Sequence, residues 1–173
     1  DGRYALHDWT VKADPDAVFF PQRLRGRVAQ HTPEGRDKGE RLFYVNCDLW
    51  EKVAMYGSLE IFSREALDHY YGNSERCTKE LDWQGWGEDF FMQKCMELLK
   101  VDHVSDFEMI GDNRCHPASC SDVSKVAFHD FKDVDGWFGC WSESTRSAGE
   151  PIPWESAGGD DAADGEQARF LNR

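Results

Sequence analysis

Positive charge falls short in this chain: 20 Lys and Arg stand against 33 Asp and Glu, for a formal net charge of −13. That deficit argues against an electrostatic nucleic-acid binder, because phosphate backbones are held largely by Lys and Arg. A protein this acidic that handles a phosphorylated substrate needs a cation of its own. Long apolar runs are missing too. Nothing approaches the roughly 20 residues that cross a bilayer, and residues 1–20 lack the basic, apolar and small-residue succession of a signal peptide. Any membrane link is expected only through an N-terminal anchor upstream of this sequence. There is no phosphate-cradling Gly-rich loop, no Gly-x-Ser-x-Gly, no His-Glu-x-x-His and no repeat at a solenoid period, which sets those classes aside.

What is present is 40% hydrophobic content and six cysteines. The first suits one core of ordinary size. The second is an even count that suits disulfides in an oxidising compartment, with the pairing open. Tyr4–Ala13 reads as a strand that ends at Asp14-Pro15-Asp16, because Pro removes a ladder donor. Ala17–Phe20 reads as a second short strand and Pro21–Arg25 as a short helix with Pro in its first turn. A polar loop is expected over residues 31–40, then a buried strand at Leu42–Cys47. Met55–Phe62 alternates around Gly57. Ser63 reads as an N-cap, with Glu65 in the first turn of a helix that stops at Gly72. A second amphipathic helix is expected from Glu88-Asp89 to about Lys100, with Phe91, Cys95 and Leu98 on one face. Val123–Phe128 reads as a strand delivering His129, and alternation continues to Trp141. Short apolar strands alternating with helices predict an α/β domain over residues 1–141. From residue 142 the composition turns to Gly, Ala, Asp and Glu without periodicity, which predicts a disordered acidic tail over 142–173.

Several residue groups carry possible chemistry. Asp14 and Asp16, at i and i+2 across a Pro-restricted turn, can face one hard cation such as Mn²⁺ or Mg²⁺; the competing reading is a solvated turn. The pattern recurs at Asp133-Val134-Asp135. Glu88 and Asp89 at a helix start suit either a general base or a complement to the helix dipole. His129, carried on a strand, suits a metal ligand or a structural histidine. Cys115-His116-Pro117-Ala118-Ser119-Cys120 invites a zinc reading with His129 and Cys140, against a short disulfide loop.

Taken in order, Trp9–Phe20 (WTVKADPDAVFF), Tyr56–Leu67 (YGSLEIFSREAL), Trp86–Leu99 (WGEDFFMQKCMELL) and Val126–Lys132 (VAFHDFK) resemble motifs of β-1,3-galactosyltransferase and Fringe-like glycosyltransferases. The resemblance implies the C-terminal part of a GT-A-like fold, from the Asp-x-Asp motif onward, with the nucleotide-binding half upstream. It implies that Asp14, Asp16 and His129 ligate Mn²⁺ or Mg²⁺ and that the diphosphate of a UDP-sugar donor sits there, with Lys132 beside a diphosphate oxygen. It implies that Tyr56 and Gly57 line the sugar pocket and that Asp89 or Glu88 takes the proton of a glycan or glycoprotein hydroxyl in an inverting hexosyl transfer; Trp83 and Trp86 suit either an acceptor platform or core packing. Residence in the Golgi or ER lumen as a type II membrane protein, or secretion, follows from the same likeness. This chain departs in having one glycine, Gly57, where relatives often have two or three. Two other readings stand beside it: a catalytically inactive glycan- or partner-binding relative, and a disulfide-rich extracellular binding module.

Overall fold

The computed structural model describes residues 2–31, 39–49 and 54–152. The loop expected at 31–40 falls mostly outside these residues, as does most of the segment 142–173 expected to be a tail.

Among the described residues the protein is a mixed α/β structure with two mixed sheets and four α-helices. β1 (Trp9–Ala13), β3 (Leu42–Val45), β4 (Leu59–Ser63) and β5 (Asp102–Ser105) form the first sheet in the order β1-β4-β3-β5. β4 is antiparallel to both neighbours, and β3 and β5 run parallel. β2 (Val18–Phe19), β6 (Ile110–Asp112) and β7 (Ala127–His129) form the second sheet in the order β2-β7-β6, with β2 antiparallel and β6 parallel to β7. The Asp14-Pro15-Asp16 turn is therefore the point where the chain leaves one sheet for the other.

Strand alternation divides the core. Phe43, Val45 and Phe62 face one way, onto a cluster built by α2 (Arg64–Glu80) and α3 (Glu88–Leu98), including Ala66, Leu67 and Met96. Tyr44, Leu59 and Ile61 face the other way, onto Leu24 and Val28 of α1 (Pro21–His31) and onto Ile110 and Ala127 of the second sheet. A third cluster joins Val18, Phe20 and Phe128 to Cys140 of α4 (Val134–Ser147). Period-2 side-chain alternation is what lets one strand serve two layers.

Several elements differ from the expectations drawn from sequence. The first strand begins at Trp9, because residues 3–6 form a 3-10 turn docked on α2: the Tyr4 hydroxyl donates to Asp68 (2.9 Å) and the Tyr4 ring stacks on Tyr71 at 5.0 Å. α1 runs past Arg25 to His31. Ser63 does cap α2, its hydroxyl accepting from the Ala66 N–H (3.2 Å), but α2 continues through Gly72 to Glu80. An interior glycine costs a helix only about 1 kcal/mol, and the turns beyond it bury Cys77 in a disulfide with Cys95. Residues 134–147 are α4 rather than a continuing extended segment. This helix crosses the boundary expected at 141/142, so the tail cannot start at residue 142. Ser144 and Thr145 are buried, Ile152 is buried as well, and the Arg23 guanidinium donates to the Ser144 hydroxyl (2.8 Å).

All six cysteines are paired: Cys47–Cys115, Cys77–Cys95 and Cys120–Cys140. Neither the short Cys115–Cys120 loop nor the zinc reading with His129 and Cys140 holds, because each sulfur is spent in a longer-range bridge. Three disulfides mark folding in an oxidising, secretory or lumenal environment. No helix among the described residues is long and apolar enough to cross a membrane.

Candidate metal and acid–base site

Register alone brings the first constellation together. β2 and β7 pair with Val18 opposite Phe128, and beyond that pair the Phe131 N–H donates to the Asp16 carbonyl (2.9 Å). His129, next along β7, is thereby set beside the Asp-x-Asp turn. Its Nε2 lies 3.4 Å from Asp16 Oδ1, and one donor atom from each of Asp14, Asp16 and His129 falls within 4.8 Å of the others. In the parallel pair β6–β7, Asp112 is directly opposite His129, and His129 Nδ1–H donates to Asp112 Oδ2 at 2.5 Å. A carboxylate only accepts, so this bond places a proton on Nδ1 and turns Nε2 toward Asp16.

The electrostatics follow from the same contacts. Burial pushes the His129 imidazole down, but its bond to Asp112 and the charges of Asp112, Asp16 and Asp130 outweigh that and leave its pKa raised. The Lys132 ammonium, ion-paired with Asp16, holds the Asp16 carboxyl below its ordinary value. Arg114 pairs with Asp130 at 2.9 Å, and Lys132 is 3.9 Å from the same Asp130 oxygen. Two cations thus stand on the Asp16 side of the cluster. The Tyr56 ring meets His129 edge-on at 6.2 Å. Its hydroxyl is buried, makes no hydrogen bond of ordinary geometry, and lies near the Arg114 guanidinium; burial is the main cause of its raised pKa.

The acidic pair joins from the opposite layer. Gly87 is the N-cap of α3, and Glu88 and Asp89 occupy the first turn. Asp89 is held rigidly: Oδ2 accepts from the Gly57 N–H (3.1 Å) and Oδ1 from the Phe90 N–H (2.7 Å). A Cβ on Gly57 would stand 2.9 Å from Asp89 Oδ2, so the glycine is required by the approach of that carboxylate. Glu88 reaches Lys12 at 3.1 Å, and Lys12 is 2.8 Å from Asp14. Trp86 packs on Phe90 in the first turn of α3, with ring centroids 4.6 Å apart, and Trp83 meets Phe91 edge-on at 6.0 Å.

Four members of this arrangement are not evident from sequence: Asp112, Arg114, Lys12 and Glu60. Lys12 carries a weak signal, being two residues before Asp14 on a strand and hence on the same side. Glu60 is placed beside Lys12 only by cross-strand register. Burial pushes the Glu60 carboxyl up to about 7 against the pull of Lys12, while Lys12, drawn by Asp14 and Glu60 against its own burial, is raised. The two directions are compatible, because Lys12 meets several carboxylates whereas Glu60, 1% exposed, bears most of the desolvation.

A second group, Asp48, Cys115 and His116, also lies within 4.8 Å. Its sulfur is bonded to Cys47, so it lacks a thiolate and reduces to an Asp48–His116 pair at 2.6 Å. An apolar cavity of about 390 Å³ lies elsewhere, between β1, β2 and α1, lined by Trp9, Val11, Phe19, Leu24 and Val28 together with Arg25. It includes none of the candidate site residues. No known family model matches the chain.

Proposed function

We propose that this chain is the C-terminal part of a GT-A-like domain that transfers a hexosyl unit from a UDP-sugar to a hydroxyl of a glycan or glycoprotein, with inversion. The observation that carries this reading is the convergence of Asp14, Asp16 and His129, with Asp112 orienting the imidazole. Two carboxylates and one imidazole form a hard, oxygen-rich donor set that suits Mn²⁺ or Mg²⁺, and a carboxylate behind a ligating histidine is the usual way such a ring is fixed. When bound, a divalent cation supplies Lewis acidity toward the departing diphosphate.

The remaining roles fall to the chain's own groups. Lys132 and Arg114 offer positive charge to diphosphate oxygens on the Asp16 side. Tyr56 and Gly57 stand between His129 and Asp89, where a donor sugar would lie against them. Asp89 is the first choice of base. Its two oxygens are aimed by backbone amides and each keeps a further lone-pair position for an acceptor hydroxyl. Glu88, tied to Lys12, is the second choice. Trp86 on Phe90 offers an aromatic surface beside the acidic pair for an acceptor ring. The Golgi or ER lumen fits both this chemistry and the disulfides.

The disulfides also suit a stapled extracellular binding module, and one assay separates the two. In the parent protein that carries this chain, hydrolysis of UDP-hexoses should require Mn²⁺. Asp89→Asn should lower turnover by on the order of 10²-fold with Mn²⁺ and UDP affinity nearly intact. Absence of any Mn²⁺-dependent turnover would favour the binding module, and loss of UDP binding in step with turnover would remove Asp89 from the chemistry.

A further inference from the structure

The Lys12 ammonium has four acceptors for three N–H donors. Asp14 Oδ1 is at 2.8 Å, Glu60 Oε1 at 2.9 Å, the Gly57 carbonyl at 2.9 Å and Glu88 Oε2 at 3.1 Å. Two of these are fixed. Glu60 is the cross-strand partner of Lys12 in the β1–β4 register and is almost wholly buried, and Gly57 is backbone packed against Asp89. The other two are adjustable: Asp14 is a third exposed and Glu88 more than half. One belongs to the candidate cation position and the other to the candidate acid–base pair.

We infer that Lys12 is a positioning residue that couples occupation of the Asp14–Asp16–His129 cation position to the setting of Glu88; this rests on the function proposed above. A dication and the ammonium would draw on the same Asp14 carboxylate from two sides. Charges of like sign sharing one anion oppose each other, so each weakens the other's hold. As a cation takes Asp14, the ammonium leans on Glu88 and Glu60. Removing Glu88 leaves more of the ammonium to Asp14. Linkage makes this reciprocal: whatever the cation does to Lys12, Lys12 does to the cation. Glu60 anchors the ammonium at the floor of the site, so that the shift is between two carboxylates and not out into solvent.

Mn²⁺ affinity of the chain itself, measured by calorimetry, tests this without turnover. Lys12→Met paired with Glu60→Gln removes the ammonium without leaving a buried carboxylate unpaired, and should tighten Mn²⁺ by about tenfold. Lys12→Arg, which keeps the charge, should stay within about threefold of the parent chain. Glu88→Gln should loosen Mn²⁺ by about threefold in the parent chain and have little effect once Lys12 is gone. Equal or weaker Mn²⁺ binding by the folded K12M/E60Q variant, or an E88Q effect that persists in it, would overturn the inference. Should K12M/E60Q not fold, E88Q on its exposed side chain decides alone, and unchanged affinity overturns it. A parent chain that takes up no Mn²⁺ removes the proposed function as well. Binding abolished by Asp16→Asn yet indifferent to Lys12 and Glu88 removes this inference only.

Discussion

At Asp14-Pro15-Asp16 the chain turns out of β1 and into β2, whereas at Asp133-Val134-Asp135 the same Asp-x-Asp pattern starts α4. In the first copy the carboxylates are drawn inward. Asp16 lies beside a buried histidine, and Asp14 meets Lys12. In the second copy the Asp133 carboxylate turns back on its own backbone and accepts from the Gly136 N–H at 2.7 Å, while Val134 between the acids is 70% exposed. One copy is a meeting point of two sheets; the other is a helix cap. The pattern specifies neither outcome. What differs is whether a neighbouring strand delivers other donors to the turn, as β7 does with His129.

The sharpest way to break this comparison is to remove one carboxylate from the first copy. Asp16→Asn should cost Mn²⁺ affinity on the order of 10²-fold, because a ligand charge is lost and the Lys132 ammonium loses its partner. Titration of the chain with Mn²⁺ followed by calorimetry reads this directly. An affinity indistinguishable from the parent chain would make the first copy a solvated turn like any other.

A smaller effect is expected in the pH dependence of stability, and it sharpens the contrast between a buried and a solvated acidic cluster. The folded-state pKa of Glu60 is raised to about 7, above the ordinary carboxylate value, because its burial is only partly offset by Lys12. A raised pKa means that its stabilising contribution is complete at acid pH and is lost as pH climbs toward and through about 7. Denaturant melts should therefore show the chain losing stability between about pH 4.5 and 7. Glu60→Gln, which cannot ionise, should flatten that slope. A parent chain that gains stability over this window relative to E60Q would mean that the Lys12 attraction, and not desolvation, governs Glu60.

Much of the first copy was legible in the sequence, because its features are local. The strand ending at Pro15, the Ser63 cap and the start of α3 at Glu88 each follow from a residue and its immediate neighbours. His129 was legible as strand-borne, but its approach to Asp16 depends on the β2–β7 register, which no local signal encodes. Asp112 was missed for the same reason, since β6 is three residues long and gives no alternation to read. β5 was missed because its residues, Asp102, His103, Val104 and Ser105, lack an apolar stripe; the strand forms by parallel pairing with the wholly buried β3. The C-terminal end of α2 and the boundary expected at 141/142 were misplaced by composition. Gly72 looks like a stop and the composition from residue 142 lacks periodicity, yet the Cys77–Cys95 and Cys120–Cys140 bridges and the Arg23–Ser144 contact hold those turns in place. Disulfide pairing is non-local by nature, and the 68-residue separation of Cys47 and Cys115 illustrates why spacing does not reveal it.

The smallest expected effect belongs to the second copy. If Asp133 is only a cap, Asp133→Ala removes one hydrogen bond at the first turn of α4, which should lower stability by about 1 kcal/mol. That loss should be shared by Cys140, Ser144 and Thr145, whose burial depends on the helix. It should not spread to the candidate cation position at the first copy. α4 does reach that turn, through the Trp137 indole N–H that donates to the Ala17 carbonyl (3.2 Å), but the Trp137 backbone N–H is held by the Asp133 carbonyl (3.1 Å), which Asp133→Ala keeps, and not by the capping carboxylate. Chemical denaturation should thus record the destabilisation while Mn²⁺ affinity stays within about twofold of the parent chain. A D133A variant that lost Mn²⁺ binding while remaining folded would show that the two copies form one electrostatic unit, and that the second Asp-x-Asp acts on the first through the short segment from His129 to Lys132.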